Sequence, residues 1–228
     1  MIKFFFIVIR NLKFFLRSLK NYLKIMVSKH SSNFYLPNVS IDNIIIINPL
    51  KIEYKGTTHI KFKKRSTPFI FDFDWDKKNQ NLLNFEKQHH TYISCNELFI
   101  KNFKLKNCKE YFFFKEQIQK FGEFKGCKTE SDIVLYLKKL LNLFDSIKKY
   151  GIKTNIDNNL DFMIDRHGNL VKIGGGNHRF AISRILKLNK IPIEIKLINS
   201  QFLNKKYKKI ISKKDLNNMI KDIENKYN

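Results

Sequence analysis

The chain has 228 residues, of which 43% are hydrophobic and 28% charged, and its formal net charge is +24. These proportions are those of an ordinary globular protein, so wholesale disorder, collagen-like repeats and small disulfide scaffolds are excluded. No run of about 18 uninterrupted apolar residues is present, so no conventional transmembrane helix is expected.

The first thirty residues differ from the rest because their charged residues are all Lys or Arg. From Lys3 to Lys24 these recur at helical spacing, and apolar residues fill most of the remaining circumference. The pattern predicts a basic amphipathic helix over residues 1–30, whose residues 3–26 suit an anionic membrane surface. Packing of this helix on its own domain, and a targeting segment, are the alternatives.

The rest of the chain is predicted to form one domain, residues 41–228, joined to the helix by a linker at residues 31–40. The first strands of the domain are predicted at Ile44–Ile47, Lys51–Tyr54 and His59–Lys63. From Phe69 to Trp75 aromatic residues alternate with Asp72, Asp74 and Asp76. This alternation predicts a further strand with three carboxylates on one face.

Two helices are predicted in the middle of the chain. The aromatic-rich region 79–128 is expected to be helical around Glu110 to Phe121. A longer helix is predicted from Asp132 to Tyr150, with Thr129 or Ser131 as its cap and Gly151 just after its end.

The C-terminal third alternates between strands and helices. A hairpin is predicted from Leu160–Ile164 and 170–173, around a turn at residues 165–169 that includes Asp165. A helix from Asn177 to Leu188 and a strand from Pro192 to Leu197 follow. Ser212 and Asp215 have the spacing of a capping box and predict the start of a last helix.

Three cysteines, Cys95, Cys108 and Cys127, stand far apart, and no C-x-x-C pair is present. This pattern predicts reduced thiols in a cytoplasmic protein and no zinc site. His89 and His90 precede Cys95 without a cluster of further ligands, so an exposed loop is expected there.

The clearest sequence signal for a ligand site lies in residues 173–182 (IGGGNHRFAI). A strand leads through Gly174, Gly175 and Gly176 directly into a helix. Glycines allow close approach of a ligand, and the helix N-terminus offers free amides with a partial positive charge. His178 and Arg179 stand in the first turn, and Arg is suited to phosphate oxygens. The segment predicts a phosphate site, whereas its spacing is neither that of a Walker A loop nor that of a dinucleotide fingerprint.

A resemblance to the ParB/sulfiredoxin superfamily is carried by residues 175–179 (GGNHR), 180–182 (FAI) and 190–193 (KIPI). It extends over residues 160–198, including the hairpin with its Asp-x-x-Gly turn. More loosely, residues 73–76 (FDWD) resemble a G-D-W-D segment found in uncharacterised proteins with the same core. The resemblance implies an α/β (α+β mixed) fold with a small mixed sheet and flanking helices. It also implies that residues Gly174, Gly175, Gly176, Asn177, His178 and Arg179 bind ATP or another nucleotide.

The branches of this superfamily imply different activities. Sulfiredoxins have a catalytic Cys directly before the His-Arg pair, where this chain has Asn177, so sulfinic acid reduction is not expected. ParB partition proteins bind CTP and read DNA through a following domain, for which the residues after Leu197 are too few. ParB-like free-serine kinases transfer a phosphoryl group to a small hydroxyl substrate, and this branch fits the loop.

A kinase also needs a carboxylate, as a general base or to hold Mg²⁺. The sequence-based candidates are Asp72, Asp74 and Asp76, of which Asp74 and Asp76 are expected to act together with His178 in catalysis. A solvated strand edge is the alternative role for these aspartates.

The sequence therefore predicts a nucleotide- or phosphate-binding protein, interpreted as an ATP-dependent phosphotransferase that acts on a small hydroxyl substrate near the membrane. Its expected location is the cytoplasm, at the inner membrane surface if residues 3–26 bind lipid. The alternative is a non-enzymatic nucleic-acid-binding protein that uses its basic surface, including the lysines between 205 and 214. Genome composition is a further explanation of the charge, because AT-rich codons encode many of the abundant residues.

Overall fold

The computed structural model describes residues 43–56, 69–71, 74–153, 159–207 and 212–228. Several predicted features lie outside these residues: the helix at 1–30, the linker at 31–40, the strand at His59–Lys63, and Asp72. Within the described part of the chain, no helix is long and apolar enough to cross a membrane.

The described residues form one mixed sheet and a set of helices, which confirms the predicted α/β fold. The strands are β1 (Ile44–Ile47), β2 (Tyr54–Lys55), β3 (Phe69–Phe71), β4 (Gln80–Asn81), β5 (Leu160–Ile164), β6 (Leu170–Lys172) and β7 (Ile191–Asn199). The helices are α1 (Leu82–Gln88), α2 (His90–Phe99), α3 (Lys109–Phe121), α4 (Glu130–Tyr150), α5 (Asn177–Ile185), α6 (Ser200–Tyr207) and α7 (Lys213–Tyr227).

The sheet is built around β7, in the order β1-β7-β5-β6-β2-β4. β5 runs parallel to β7 on one side, and β5 and β6 form the predicted antiparallel hairpin. On the other side of β7, β1 pairs with its first half and β3 with its second half. Every residue of β7 except Lys196 is buried, as expected for the central strand of a sheet with covered faces.

The helices begin and end where their sequences favour it. Thr129 and Asp132 form a capping box at the start of α4, and Gly151 follows its last residue with a φ of 70°. The predicted capping box at Ser212 starts α7, which packs against β1. α2 and α4 pack against α5, and Phe180 of α5 meets Phe162 of β5 edge to face, with ring centroids 5.6 Å apart.

The predicted strand through Asp76 is wrong in its second half. β3 ends at Phe71, and residues 74–76 form a turn of 3-10 helix. Asp76 is held in this turn because its carboxylate accepts hydrogen bonds from the backbone amide of Arg166 at 2.8 Å and from Asn199 Nδ2 at 3.1 Å. These two partners fix the carboxylate beside the turn that joins β5 to β6.

Candidate functional site

The glycine segment lies between the end of β6 and the start of α5, as predicted. The amide of Ile173 donates to the carbonyl of Asp161 at 3.0 Å, so the segment begins beside the first residues of β5. Gly176 has a φ of 78°, and a β-carbon at this position would lie 2.5 Å from Cδ2 of Leu160. Only glycine therefore fits this turn from strand to helix without strain.

The N-terminus of α5 has no side-chain cap, because its N-cap residue is Gly176. Four other helices are capped by the side chains of Asn81, His89, Thr129 and Ser212. The first amides of α5 are thus donors that a ligand can use, and they carry the partial positive charge of the helix end. This arrangement suits a phosphate group.

The loop and the start of α5 line a cleft of about 500 Å³, the size of a small-molecule site. All six predicted binding residues, from Gly174 to Arg179, are among its lining residues. The others are His89, His90 and Thr91 at the start of α2, Phe113 of α3, Phe124 and Lys125 in the turn after α3, and Leu143 of α4. The cleft therefore combines cationic groups with an aromatic and aliphatic wall.

Lys125 is held at the cleft by a tight turn. The backbones of Phe124 and Cys127 exchange two hydrogen bonds of 2.9 Å, and the two residues between them, Lys125 and Gly126, have φ values of 48° and 80°. A positive φ is uncommon for a lysine and is often found at functional positions. The ammonium of Lys125 lies 5.3 Å from the ring centroid of Phe114 and 5.7 Å from that of Phe124, within cation–π range.

A buried carboxylate meets His178 beneath the cleft. Glu110, in the first turn of α3, is fully buried, and Nε2 of His178 lies 2.8 Å from its Oε2 and 3.1 Å from its Oε1. Burial acts to raise the pKa of Glu110, but the hydrogen bond and charge of His178, with the charge of Lys125, outweigh it and hold the pKa below its usual range. An ionised Glu110 accepts a hydrogen bond from the N–H group at Nε2, and this bond fixes the orientation of the His178 ring.

His89 and His90 do not lie in an exposed loop, contrary to the expectation from sequence. Nδ1 of His89 caps α2 by accepting from the amide of Thr91 at 3.3 Å. The rings of Phe85, His89, His90 and Phe113 stack in a column, with successive centroids 4.6, 4.3 and 3.9 Å apart. Burial in this column is the main reason that the pKa of each histidine falls to about 4, so both rings are neutral at physiological pH.

Arg179 and Asp161 lie against the glycine loop. A β-carbon on Gly176 would lie 3.2 Å from Nη2 of Arg179, so the guanidinium folds back over the loop. Burial lowers the pKa of Arg179, and the charge of Asp161 partly offsets this effect. A β-carbon on Gly175 would lie 3.2 Å from Oδ2 of Asp161. Asp161 of β5 is thus a carboxylate that approaches the loop.

The structure separates Asp74 and Asp76 from the glycine loop, and neither is among the residues that line the cleft. Both accept from the guanidinium of Arg166, with Nη2 2.9 Å from Asp74 Oδ1 and 2.6 Å from Asp76 Oδ1. Arg166 lies in the turn of the hairpin, whereas the loop lies at its open end. β5 has five residues between these ends, which is about 15 Å at the rise of an extended strand. The structure therefore does not bring these aspartates together with His178, whose carboxylate partner is Glu110.

The residues of the cleft fit a phosphorylated ligand better than a metal ion bound by protein alone. Among the described residues, no group of three or more His, Cys, Asp or Glu side chains is arranged to hold a metal. Mg²⁺ bound to a nucleotide needs fewer, because the phosphates supply ligands and one or two carboxylates suffice. Asp161 approaches the loop but is not among the residues that line the cleft. Asn177 lines the cleft, and its Oδ1 is buried without a hydrogen-bond partner in the described structure.

Comparisons of the chain with protein-family models, with curated proteins and with solved structures found no match. The resemblance to the ParB/sulfiredoxin superfamily therefore stays a prediction, and the site is interpreted from its own geometry. Sequence reasoning missed Glu110 as a site residue, because an acid in the first turn of a helix is also what the helix dipole favours.

Proposed function

We propose that the cleft binds ATP or another nucleotide through its phosphates, and that the chain is a phosphotransferase acting on a small hydroxyl substrate. The observation that carries this proposal is the convergence of Arg179, Lys125 and the uncapped N-terminus of α5 on one cleft of about 500 Å³. Two positive side chains and a helix N-terminus together favour an anion with several negative oxygens.

The pair formed by Glu110 and His178 supports phosphoryl transfer as the reaction. Because Nε2 donates to Glu110, Nδ1 is the ring nitrogen that can take a proton from the acceptor hydroxyl. The hydroxyl oxygen then forms a bond to the terminal phosphorus of the nucleotide. The bond from this phosphorus to the bridging oxygen breaks, and the nucleoside diphosphate leaves with that electron pair. Arg179 and Lys125 would offset the charge on the transferred group.

We also propose that the protein acts at the inner surface of the membrane. Attachment of residues 3–26 to the inner surface of the membrane would hold the enzyme beside anionic substrates. This step rests on the sequence of the N-terminal segment alone.

The first test is calorimetric titration of the full-length chain with ATP, ADP and CTP, with and without Mg²⁺. Arg179→Ala removes the guanidinium at the loop, and Lys148→Ala is the matched control because it removes an exposed charge of α4 that does not line the cleft. We expect saturable binding that Arg179→Ala abolishes and Lys148→Ala preserves.

Two other outcomes would contradict the proposal. No binding of any nucleotide by the folded chain would overturn it. Binding that weakens equally in both variants and falls steeply with salt would instead favour the nucleic-acid alternative, because non-specific polyanion binding follows the total charge.

A further inference from the structure

Two lysines are buried side by side beneath the glycine loop. Lys55 of β2 and Lys172 of β6 are partners in the parallel register of these strands, and they are 7% and 0% exposed. Neither forms a salt bridge with a carboxylate within the described residues. Buried lysines that form no salt bridge are rare, and each needs a structural reason.

The reason for Lys172 is visible in its contacts. Its Nζ contacts the carbonyl oxygen of Gly175 at 2.6 Å, that of Gly174 at 3.2 Å and that of Asp161 at 3.4 Å, and it also donates to the carbonyl of Ile173. The side-chain nitrogen of Lys172 is thus surrounded by backbone carbonyl oxygens, which accept from its N–H groups. Through these contacts Lys172 holds the first half of the loop.

This contact sets the direction of the loop amides. In a trans peptide the C=O and N–H groups point to opposite sides. When the carbonyls of Gly174 and Gly175 turn toward Lys172, the amides of Gly175 and Gly176 turn away from it. Since the glycines line the cleft, these two amides are available to a ligand there.

The arrangement is costly for folding. Burial, with the charges of Lys55 and Arg179, holds the pKa of Lys172 far below its usual range, and the charge of Asp161 only partly offsets this. Three successive glycines also have more freedom than any other tripeptide, so without an anchor the ligand itself would have to order them.

We propose that Lys172 is a positioning residue of the anion site, which fixes the glycine loop so that the amides of Gly175 and Gly176 face a phosphate group. The proposal rests on the proposed function for its ligand. The orientation of the loop, however, is a property of the chain alone and can be measured without a ligand.

The matched pair Lys172→Met and Lys55→Met tests the proposal in the full-length chain. Each variant replaces a buried lysine with an apolar side chain of similar length. Only Lys172→Met removes the loop anchor, because Lys55 donates to the carbonyl of Gly56 instead. We expect Lys172→Met to weaken the binding of ATP and of inorganic pyrophosphate about tenfold or more, because ordering the loop then falls to the ligand. Lys55→Met should bind both within about threefold of the wild type, because the anchor is intact.

A second readout follows the loop directly. Hydrogen exchange at the amides of residues 174–176, measured by NMR, should accelerate in Lys172→Met and stay unchanged in Lys55→Met. In the unmodified chain, the side-chain Nζ resonance of Lys172 should shift when ATP is added, and this measurement does not depend on a variant that folds.

Several outcomes would overturn the proposal. They are wild-type affinity in a folded Lys172→Met variant, equal weakening in both variants, and an Nζ resonance of Lys172 that does not respond while ATP binds. If the wild type binds neither ATP nor pyrophosphate, the proposed function fails. The exchange rates of the loop amides then still decide whether Lys172 holds the loop.

Discussion

Glu110 and His178 are 68 positions apart in the sequence, yet Nε2 of His178 lies 2.8 Å from Oε2 of Glu110. The same carboxylate lies 3.5 Å from the hydroxyl of Thr91 and 3.9 Å from Nε2 of His90. It thereby joins α2, α3 and α5 at the base of the cleft. A carboxylate at this point links the stability of the helical layer to the position of the ring that we assign to proton transfer.

His178→Ala should destabilise the protein strongly. It leaves the buried carboxylate of Glu110 without its closest hydrogen-bond donor, and an unsatisfied buried charged acceptor costs about 3 kcal/mol in the free energy of unfolding. Urea denaturation followed by circular dichroism measures this change. Lys115→Ala is the control, because it breaks an ion pair with Glu130 in which both side chains are more than two-fifths exposed, and it should have no measurable effect. A His178→Ala variant as stable as the wild type would show that the pair does not hold the helices together.

Gly176→Ala should lower stability and ligand affinity together. The new β-carbon meets Leu160 at 2.5 Å and forces a left-handed backbone on alanine, which costs about 1–2 kcal/mol before the contact itself is counted. Gly174→Ala is the matched control, because its β-carbon would meet only Oδ2 of Asp161, at 3.6 Å. Thermal unfolding and ATP titration of both variants check this prediction. Equal stability of the two variants would mean that the turn at residue 176 can relax.

The sequence was sufficient to predict the elements whose signals are local. The cap at Thr129, one of the two residues predicted for it, the capping box at Ser212 and the glycine run before α5 each depend on residues a few positions apart. The structure contains all three. Such features follow from short-range hydrogen bonding and backbone sterics. They are readable without knowledge of the tertiary fold.

The positions of Asp74, Asp76 and Glu110 could not be predicted from local sequence patterns. The alternation from Phe69 to Trp75 fits a strand, but the contact between Asp76 and Arg166, 90 positions away, holds residues 74–76 in a turn instead. Glu110 likewise acquires its role only when α5 brings His178 to it. Tertiary contacts between distant residues decide both cases, and no periodicity in the sequence reports them.

Asp76→Ala should destabilise the fold and leave ATP affinity unchanged. Its side chain is 2% exposed and accepts from Arg166 and Asn199, so its loss leaves buried donors unsatisfied, at a cost of about 3 kcal/mol in the free energy of unfolding. Asp74→Ala is the control, since this carboxylate is 56% exposed and its removal should change stability little. Urea denaturation and calorimetry with ATP measure both effects. A folded Asp76→Ala variant that no longer binds ATP would restore the sequence-based assignment.

Stability should fall as the pH decreases from about 6.5 toward 4. The pKa values of His89 and His90 are lowered from 6.5 to about 4 in the folded protein, mainly by burial. Between these values the unfolded chain binds more protons than the folded one, so acid favours unfolding. The lowered pKa of Glu110 acts in the same direction below about pH 4.5, where the unfolded chain would protonate this carboxyl first. Melting temperatures measured across this pH range test whether stability falls as the pH decreases.

His89→Asn isolates the contribution of His89 to the loss of stability at acidic pH. Asparagine is a good N-cap and can keep the hydrogen bond to the amide of Thr91, but it does not titrate. The variant loses the ring contact with Phe85 and should therefore be less stable than the wild type near neutral pH. The drop in its melting temperature between about pH 7 and pH 5 should nevertheless be smaller than that of the wild type, because one of the two protonation events is gone. An unchanged drop would assign the acid sensitivity to other groups, and would mean that His89 is already charged or solvated in the folded chain.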